Sequence, residues 1–373
     1  MKVVFWCAAC LIAYAYAGYP LWLWFRRRWR TRAVRRSELT PTVSIVMVVR
    51  NEAGLIDRKL RNLRGLHYPE DRCEIVVVSD GSTDGTTEVL AEWAKSPRVR
   101  VISSKPSRGK AACLNDALAI ARGEIVFFTD VRQELEPDCL LLLAENFADP
   151  EVGCASGELM LGDPKSGESD RRFGMYWQIE KQIRELESSS GSVIGATGAI
   201  YAIRRDLFAL IPWGTILDDV FIPMQVVQRG KRVVFDSRAR AWDIPHQGTE
   251  REFARKVRTL GGNYQLVQLM PWLLGGSNPV RFEFISHKLL RLLVPFALIA
   301  VFASSLVLAD VFYRTALLLQ LLFYALSLLA PAKLKLGGLA RAADASFTFV
   351  VLNTAAAVAF LKFISGRKAV WGR

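Results

Sequence analysis

The sequence predicts an α/β protein, with a mostly parallel sheet flanked by helices and transmembrane α-helices at either end. Three observations carry this. Short apolar strands alternate with helical segments between Pro41 and Thr129. Long apolar runs lie near both ends of the 373-residue chain. Basic residues cluster beside those runs, within a net charge of +13. Alternating strands and helices imply right-handed crossovers and parallel pairing. Apolar stretches of about 20 residues are long enough to cross a bilayer. Positive charge next to such stretches points to a membrane surface, not to nucleic acid. No zinc-finger, RNA-recognition or basic-zipper pattern occurs. The six cysteines show no zinc-ligand spacing and fit a reduced, cytosolic interior.

Val3 to Phe25 reads as the first spanning helix, domain 1–25, with Tyr14, Tyr16, Tyr19, Trp22 and Trp24 as interfacial anchors. A cleaved signal peptide fits poorly, because the apolar run is too long and the positive cluster follows it. Residues 26–40 form a basic linker carrying Arg26, Arg27, Arg28, Arg30, Arg32, Arg35 and Arg36. The positive-inside rule places that linker in the cytoplasm, and with it the following domain, 41–248.

Within the domain, strands are expected over Val43–Val49, Glu74–Ser79, Val99–Ser103 and Glu124–Thr129. The helices between them are expected over Ala53–Leu66, Thr86–Lys95 and Lys110–Ala121. Further helices are expected over Asp170–Ser190 and Asp218–Gln228, with a small-residue loop at Gly195–Ala199. Residues 249–288 read as amphipathic interfacial helices, with Gly261-Gly262 expected to break or kink the first. Residues 289–366 hold three more spanning candidates, Leu289–Ala309, Val311–Ala330 and Phe347–Ile364, before a basic tail at 367–373. Lys333, Lys335 and Arg341 place the loop before the last candidate in the cytoplasm; the tail's charges would then lie outside, against the rule.

The chemistry gathers at strand ends, where ligands of open α/β sheets bind. Asp130 and Arg132 follow the fourth strand and, two apart in an extended segment, would face one spot. That suits a phosphate-bearing ligand; a solvated ion pair is the alternative. Asp80 ends the second strand in Ser79-Asp80-Gly81-Ser82-Thr83-Asp84-Gly85-Thr86, which is also turn and N-cap chemistry. Glu52 sits equivalently after the first strand, in Arg50-Asn51-Glu52. Either carboxylate could accept a hydrogen bond from a base edge or ribose hydroxyl.

These stretches, with Gly109-Lys110-Ala111-Ala112-Cys113-Leu114-Asn115, Gly198 to Arg205 and the pair Asp218-Asp219, resemble family 2 glycosyltransferases of the GT-A fold. The resemblance runs roughly from Thr42 to Gly262. The flanking apolar segments resemble the membrane-integrated branch that includes cellulose, hyaluronan and chitin-oligosaccharide synthases. It implies a nucleotide-sugar donor, UDP-linked in that branch, and a saccharide or lipid-linked acceptor. It implies an inverting enzyme of polysaccharide or oligosaccharide synthesis in the cell (inner) membrane, among membrane lipids, with its catalytic domain in the cytoplasm.

By the resemblance, Glu52 and Asp80 bind the nucleoside and Lys110 approaches the diphosphate. Asp218 belongs to the substrate-binding acidic pair, and Asp219 is the base; its alternative is an N-cap. Asp130 matches the first carboxylate of the metal-binding DxD motif, implying Mg2+ or Mn2+. The motif here reads Asp130-Val131-Arg132, and an arginine cannot ligate a metal. Arg132 would instead neutralise the diphosphate by paired hydrogen bonds. His246 is a candidate further metal ligand, with a surface-loop residue as its alternative. Arg258 matches the arginine of the QxxRW motif of processive synthases, in Arg255-Lys256-Val257-Arg258-Thr259. Thr259 replaces the tryptophan that would stack on an acceptor sugar, which argues against processive polymerisation and not against sugar transfer. Transfer of one sugar to a lipid carrier is the second enzyme reading, and a catalytically silent binding subunit the third.

Overall fold

A computed structural model describes residues 1–162, 174–243, 249–332 and 337–366. The chain opens with Lys2–Ala13 (α1), a π-helical turn at Tyr14–Gly18 and Tyr19–Trp29 (α2), a continuous rod of 28 residues. The α/β domain follows as Val43–Val49 (β1), Ala53–Arg64 (α3), Cys73–Asp80 (β2), Thr86–Trp93 (α4), Val99–Ser104 (β3), Lys110–Ile120 (α5) and Ile125–Phe128 (β4). These match the expected strands and helices to within two residues at most ends.

Sequence pattern explains the first four strands. Val43, Ile45, Met47 and Val49 pack on one face with Ile75, Val77, Ile125 and Phe127. Val46, Val48, Val76, Val78, Val126 and Phe128 pack on the other. Both faces are therefore dry, as continuous apolar runs require. Pairing is parallel for β1 with β2, β1 with β4 and β2 with β3. All their carboxyl ends consequently open on one edge.

Beyond β4 the sheet becomes mixed. Glu134–Leu135 (β5), Cys139–Glu145 (α6), Val152–Leu161 (β6), Gly174–Ser190 (α7), Tyr201–Arg204 (β7), Asp218–Gln228 (α8) and Arg232–Asp243 (β8) complete an eight-stranded sheet of order β3-β2-β1-β4-β7-β6-β8-β5. β7 runs antiparallel to both β4 and β6, while β6 and β8 are parallel.

Thr249–Leu269 (α9) runs unbroken through Gly261-Gly262, contrary to the expected kink. The reason is close packing: a Cβ on Gly262 would lie 2.6 Å from Leu217 Cγ. The glycine lets α9 press on the segment that leads into α8. Gln265 adds to this, accepting from the Ile216 amide at 2.9 Å and donating to the Gly214 carbonyl at 2.9 Å. Leu266, Met270, Leu273 and Phe284 join the core beneath α5 and α8, so this region belongs to the domain's interior as well as to its membrane side.

Arg281–Glu283 (α10) continues through π-helical Phe284–Leu289 into Leu290–Val307 (α11); Val311–Ser327 (α12) and Gly338–Ile364 (α13) follow. Three helices are long and apolar enough to cross a membrane: Lys2–Trp29, Arg281–Val307 and Gly338–Ile364. The other expected span, α12, has 17 residues and is shorter than these. Phe5 and Ala8 pack with Ala297 and Val301, joining the first two long helices.

Candidate active site

The edge formed by the parallel strands carries three stitched loops. Asn51, with φ of 55°, accepts from the Thr83 amide at 2.8 Å, and the Glu52 amide donates to Thr86 Oγ1 at 2.8 Å. Asp84 accepts from the Ala53 amide and from Thr86, so the Ser-Thr-Asp run is turn chemistry that ties two strand ends together. Glu52 is half-buried at the entrance to α3.

Asp80 is fully buried. Its carboxylate accepts from Ser107 Oγ at 2.8 Å, the Arg108 amide at 2.6 Å and the Gly109 amide at 3.0 Å. Desolvation pushes its pKa up, but these hydrogen bonds outweigh that and hold it below the usual carboxylate range. In this structure Asp80 holds the loop that delivers Lys110.

Lys110, the first residue of α5, stands between two carboxylates. Its Nζ lies 3.2 Å from Asp130 Oδ1 and 3.1 Å from Asp218 Oδ2. Burial alone would lower its pKa, but Asp130, Asp218 and Asp219 raise it, so the ammonium is permanently charged near neutrality. Asp218 is buried, and Asp130 is 41% exposed at its side chain. The cluster therefore opens to solvent through Asp130.

Asp219 begins the first turn of α8 beside Asp218. Its half-buried carboxylate is pushed up to about 6, chiefly by desolvation and then by the Asp218 charge, with Lys110 and Lys288 opposing. The loop before β7 is shaped around it: the Ala196 amide donates to the Asp219 carbonyl at 2.7 Å, and a Cβ on Gly198 would meet Asp219 Oδ2 at 3.2 Å. A carboxylate with a raised pKa, beside a cation that anchors its neighbour, is suited to accept a proton from a hydroxyl.

Arg132 does not face Asp130's side. The strand ends at Phe128, Val131 turns into the core, and the two-residue alternation of an extended segment no longer applies. Arg132 Nη2 instead pairs with Asp243 Oδ2 at 2.8 Å, at the end of β8, and Gln133 Nε2 donates to the same oxygen at 2.9 Å. The strand-end ion pair is what the structure contains, in place of the expected shared spot with Asp130. Beneath this loop lies Lys59, fully buried, donating to Thr129 Oγ1 at 2.9 Å and the Gln133 carbonyl at 2.7 Å. Burial brings Lys59 down to about 7.

Arg258 is half-buried on α9, one turn before the glycine that packs on Leu217. It is not among the side chains joined to the Lys110 cluster. Thr259 is exposed. His246 lies outside the described residues. Among the described residues no three His, Cys, Asp or Glu side chains gather as a metal site. An ammonium already fills the space between Asp130 and Asp218. The described residues thus do not fit a resident divalent ion on their own.

Lys59, Asp243, Arg184 and Lys288 escaped sequence reasoning, since each is significant only through a partner far away in the chain. Tyr201 is likewise visible only in three dimensions: it stacks on Phe128 at 4.6 Å, fully buried, with a hydroxyl that has no hydrogen-bond partner.

An α/β domain with charged groups converging at the carboxyl edge of its parallel strands, beside helices able to cross a membrane, defines the class. Residues 44–211 match the sequence profile of glycosyl transferase family 2. The poly-beta-1,6-N-acetyl-D-glucosamine synthase of Staphylococcus epidermidis is 22% identical over 229 residues, covering 60% of this chain and 55% of that protein. Its namesake from Staphylococcus aureus (strain MSSA476) is 23% identical over 248 residues, covering 65% and 57%. The chain thus spans about half the length of the curated relatives it matches. The fold is similar to that of a mannosyltransferase, PcManGT from Pyrobaculum calidifontis, solved with GDP-Man and Mn2+. The TM-score is 0.75 at 23% identity, over 98% of this chain and 99% of that one. The GT-A architecture expected from the motifs is therefore the one observed.

Proposed function

We propose that this chain is a membrane-bound, inverting glycosyltransferase that moves a sugar from a nucleoside-diphosphate sugar, in the first instance a UDP-sugar, to a saccharide acceptor. The observation that carries the reading is the Lys110 cluster: one cation held by Asp130 and Asp218, with Asp219 alongside at a pKa near 6. The names of its relatives support a role in making an exopolysaccharide or oligosaccharide. The arginine run after the first long helix supports a cytoplasmic catalytic domain at the inner membrane.

In the reaction the acceptor hydroxyl oxygen bonds to the anomeric carbon from one side. The bond from that carbon to the diphosphate oxygen breaks on the other, so configuration inverts. Asp219 takes the hydroxyl proton as the bond forms. Lys110 stabilises the charge that grows on the leaving diphosphate. Asp80 acts by holding the loop that begins α5. Glu52 lies at the neighbouring strand end, where the nucleoside would be bound. PcManGT holds Mn2+ with its GDP-Man. Here Asp130 is the solvent-open strand-end carboxylate, and Lys110 is its counter-ion.

The cluster's completeness argues against a silent binding subunit. Thr259, exposed where a stacking tryptophan would stand, favours one or a few additions to a lipid-linked acceptor over a long polymer. The test is the full chain in lipid nanodiscs, offered UDP-sugars and GDP-mannose with and without Mg2+ or Mn2+. Nucleoside diphosphate release and product size are measured. No release from any donor, together with no binding of UDP or GDP, sinks the proposal.

A further inference from the structure

Charge bookkeeping around α7 leaves two cations over. Glu180, Arg184 and Glu187 lie on one face of α7 by their spacing. That face meets the π-helical segment Phe284–Leu289. His287 Nδ1 lies 2.8 Å from Glu187 Oε1, and His287 Nε2 lies 3.1 Å from Glu180 Oε2. Arg291 pairs with Glu180, Arg26 with Glu283, and Lys181 with Glu158. Tyr19 of the first helix donates to Glu187 at 2.6 Å. Each of these charges has a partner. Arg184 and Lys288, both half-buried, have no carboxylate within ion-pair distance among the described residues.

Both cations are directed to the base. Arg184 Nη1 donates to Thr197 Oγ1 at 2.6 Å, and Thr197 adjoins Gly198, which lies against the Asp219 carboxylate. Lys288 follows His287, which is clamped to the same face of α7, and its charge pulls the Asp219 pKa down against the pull of Asp218. Glu180, Glu187 and Asp219 act on Lys288 only from beyond ion-pair distance, and Arg184 repels it. Half-buried charges are normally paired, so two neighbouring cations without an ion pair beside a base call for an anion. Lys288 belongs to a helix able to cross a membrane. Six residues earlier, roughly 9 Å along the axis, exposed Phe282 meets exposed Trp22 at 5.8 Å in an interfacial aromatic pair. The site therefore lies at the depth of lipid headgroups.

Resting on the glycosyltransferase reading, we propose that Arg184 and Lys288 bind the phosphate of a lipid-borne saccharide acceptor, while the acceptor's sugar hydroxyl reaches Asp219. The tail lies along the membrane helices and the phosphate meets the two cations. The proton leaves the sugar hydroxyl for Asp219, and the nucleoside diphosphate departs from the far side.

Direct binding tests this with the full chain in nanodiscs of neutral phosphatidylcholine, using farnesyl phosphate as the probe. The parent should bind farnesyl phosphate at least about tenfold tighter than farnesol, as a charge-assisted pair of contacts requires. Lys288→Met and Arg184→Gln should each remove most of that preference, and Lys288→Arg should restore much of it. UDP and GDP affinity should be unchanged in all three. Equal affinity of the parent for farnesyl phosphate and farnesol overturns the proposal without reference to any variant's folding. So does displacement by inorganic phosphate at the same affinity, which would make the site a free-anion site. If the parent binds neither UDP nor GDP, the glycosyltransferase reading fails, while the farnesyl phosphate result still stands or falls by itself.

Discussion

The two sides of Asp219 are built differently. On the Lys110 side the groups come from the ends of the parallel strands β2 and β4 and from the starts of α5 and α8. Asp80 saturates its oxygens on the loop before α5, and Lys110 is neutralised by Asp130 and Asp218. On the Lys288 side the groups come from α7, the loop before β7 and a helix of the membrane type. Two cations there, Arg184 and Lys288, make no ion pair among the described residues. The first side is an electrostatic unit that opens to solvent through Asp130; the second, on the proposal above, opens towards lipid. A donor whose diphosphate is released suits the first, and an acceptor that stays anchored suits the second.

The largest effect that would sharpen this contrast is removal of the group they share. Asp219→Asn should lower kcat by about 10²–10⁴-fold, the usual contribution of a general base, and leave nucleoside diphosphate affinity near that of the parent. Steady-state kinetics with equilibrium UDP and GDP titrations check it. Near-normal turnover would remove Asp219 from the mechanism.

Next in size is Lys110→Met. It deletes the cation and leaves Asp130 and Asp218 facing each other unneutralised. Losing charge-assisted contacts to the diphosphate should cost about 1.5–3 kcal/mol, or roughly 10–150-fold in kcat/KM for the donor. Affinity for farnesyl phosphate should not move. Parallel losses on both sides would break the distinction between them.

A pH profile gives a smaller, signed effect. Asp219 works as a base only when ionised, and its pKa is raised to about 6. The rate kcat/KM should therefore fall as pH drops through about 6. For stability the sign is also set: the folded form binds the proton more tightly than the unfolded chain does, so this group's contribution is present at low pH and declines as pH rises towards 6. Asp218→Asn removes the like charge and should move the acid limb of kcat/KM to lower pH. An unmoved limb would mean that Asp218 does not act on Asp219.

The smallest effect expected is at Arg132. Its partner is Asp243, so Arg132→Ala should chiefly loosen the loop after β4 and lower thermal stability modestly, with donor affinity falling less than threefold. The pair is partly solvent-screened, and such pairs contribute about 1 kcal/mol or less. A donor-affinity loss comparable to that of Lys110→Met would show that Arg132 leaves Asp243 for the diphosphate during turnover.

Much of the fold was legible because its signals are local. Seven successive apolar residues in β1 can only be a strand buried on both faces, and the acidic start of α8 marks its first turn. Strand ends then located Asp80 and Asp130, since open α/β sheets bring such positions to one edge whatever the details of packing, and the resemblance to family 2 glycosyltransferases added Lys110 and Asp219. The sequence by itself determined the strand–helix alternation, the apolar helices and the carboxylates at the edge.

Tertiary structure alone decided the rest. Gly261-Gly262 reads locally as a break, but α9 is continuous there, and the glycine serves the close approach of Leu217, which leaves no room for a Cβ. Asp130 and Arg132 read as partners by alternation, but the burial of Val131 ended the strand and sent each to a different counter-ion, 20 residues upstream for one and 111 downstream for the other. Lys288 carries no motif; it matters because His287 is clamped between two glutamates of α7, and because neither Lys288 nor the neighbouring Arg184 makes an ion pair among the described residues. Hydrophobic periodicity is written along the chain. Charge compensation is a property of neighbours in space, and only the packed molecule shows which charges are left without one.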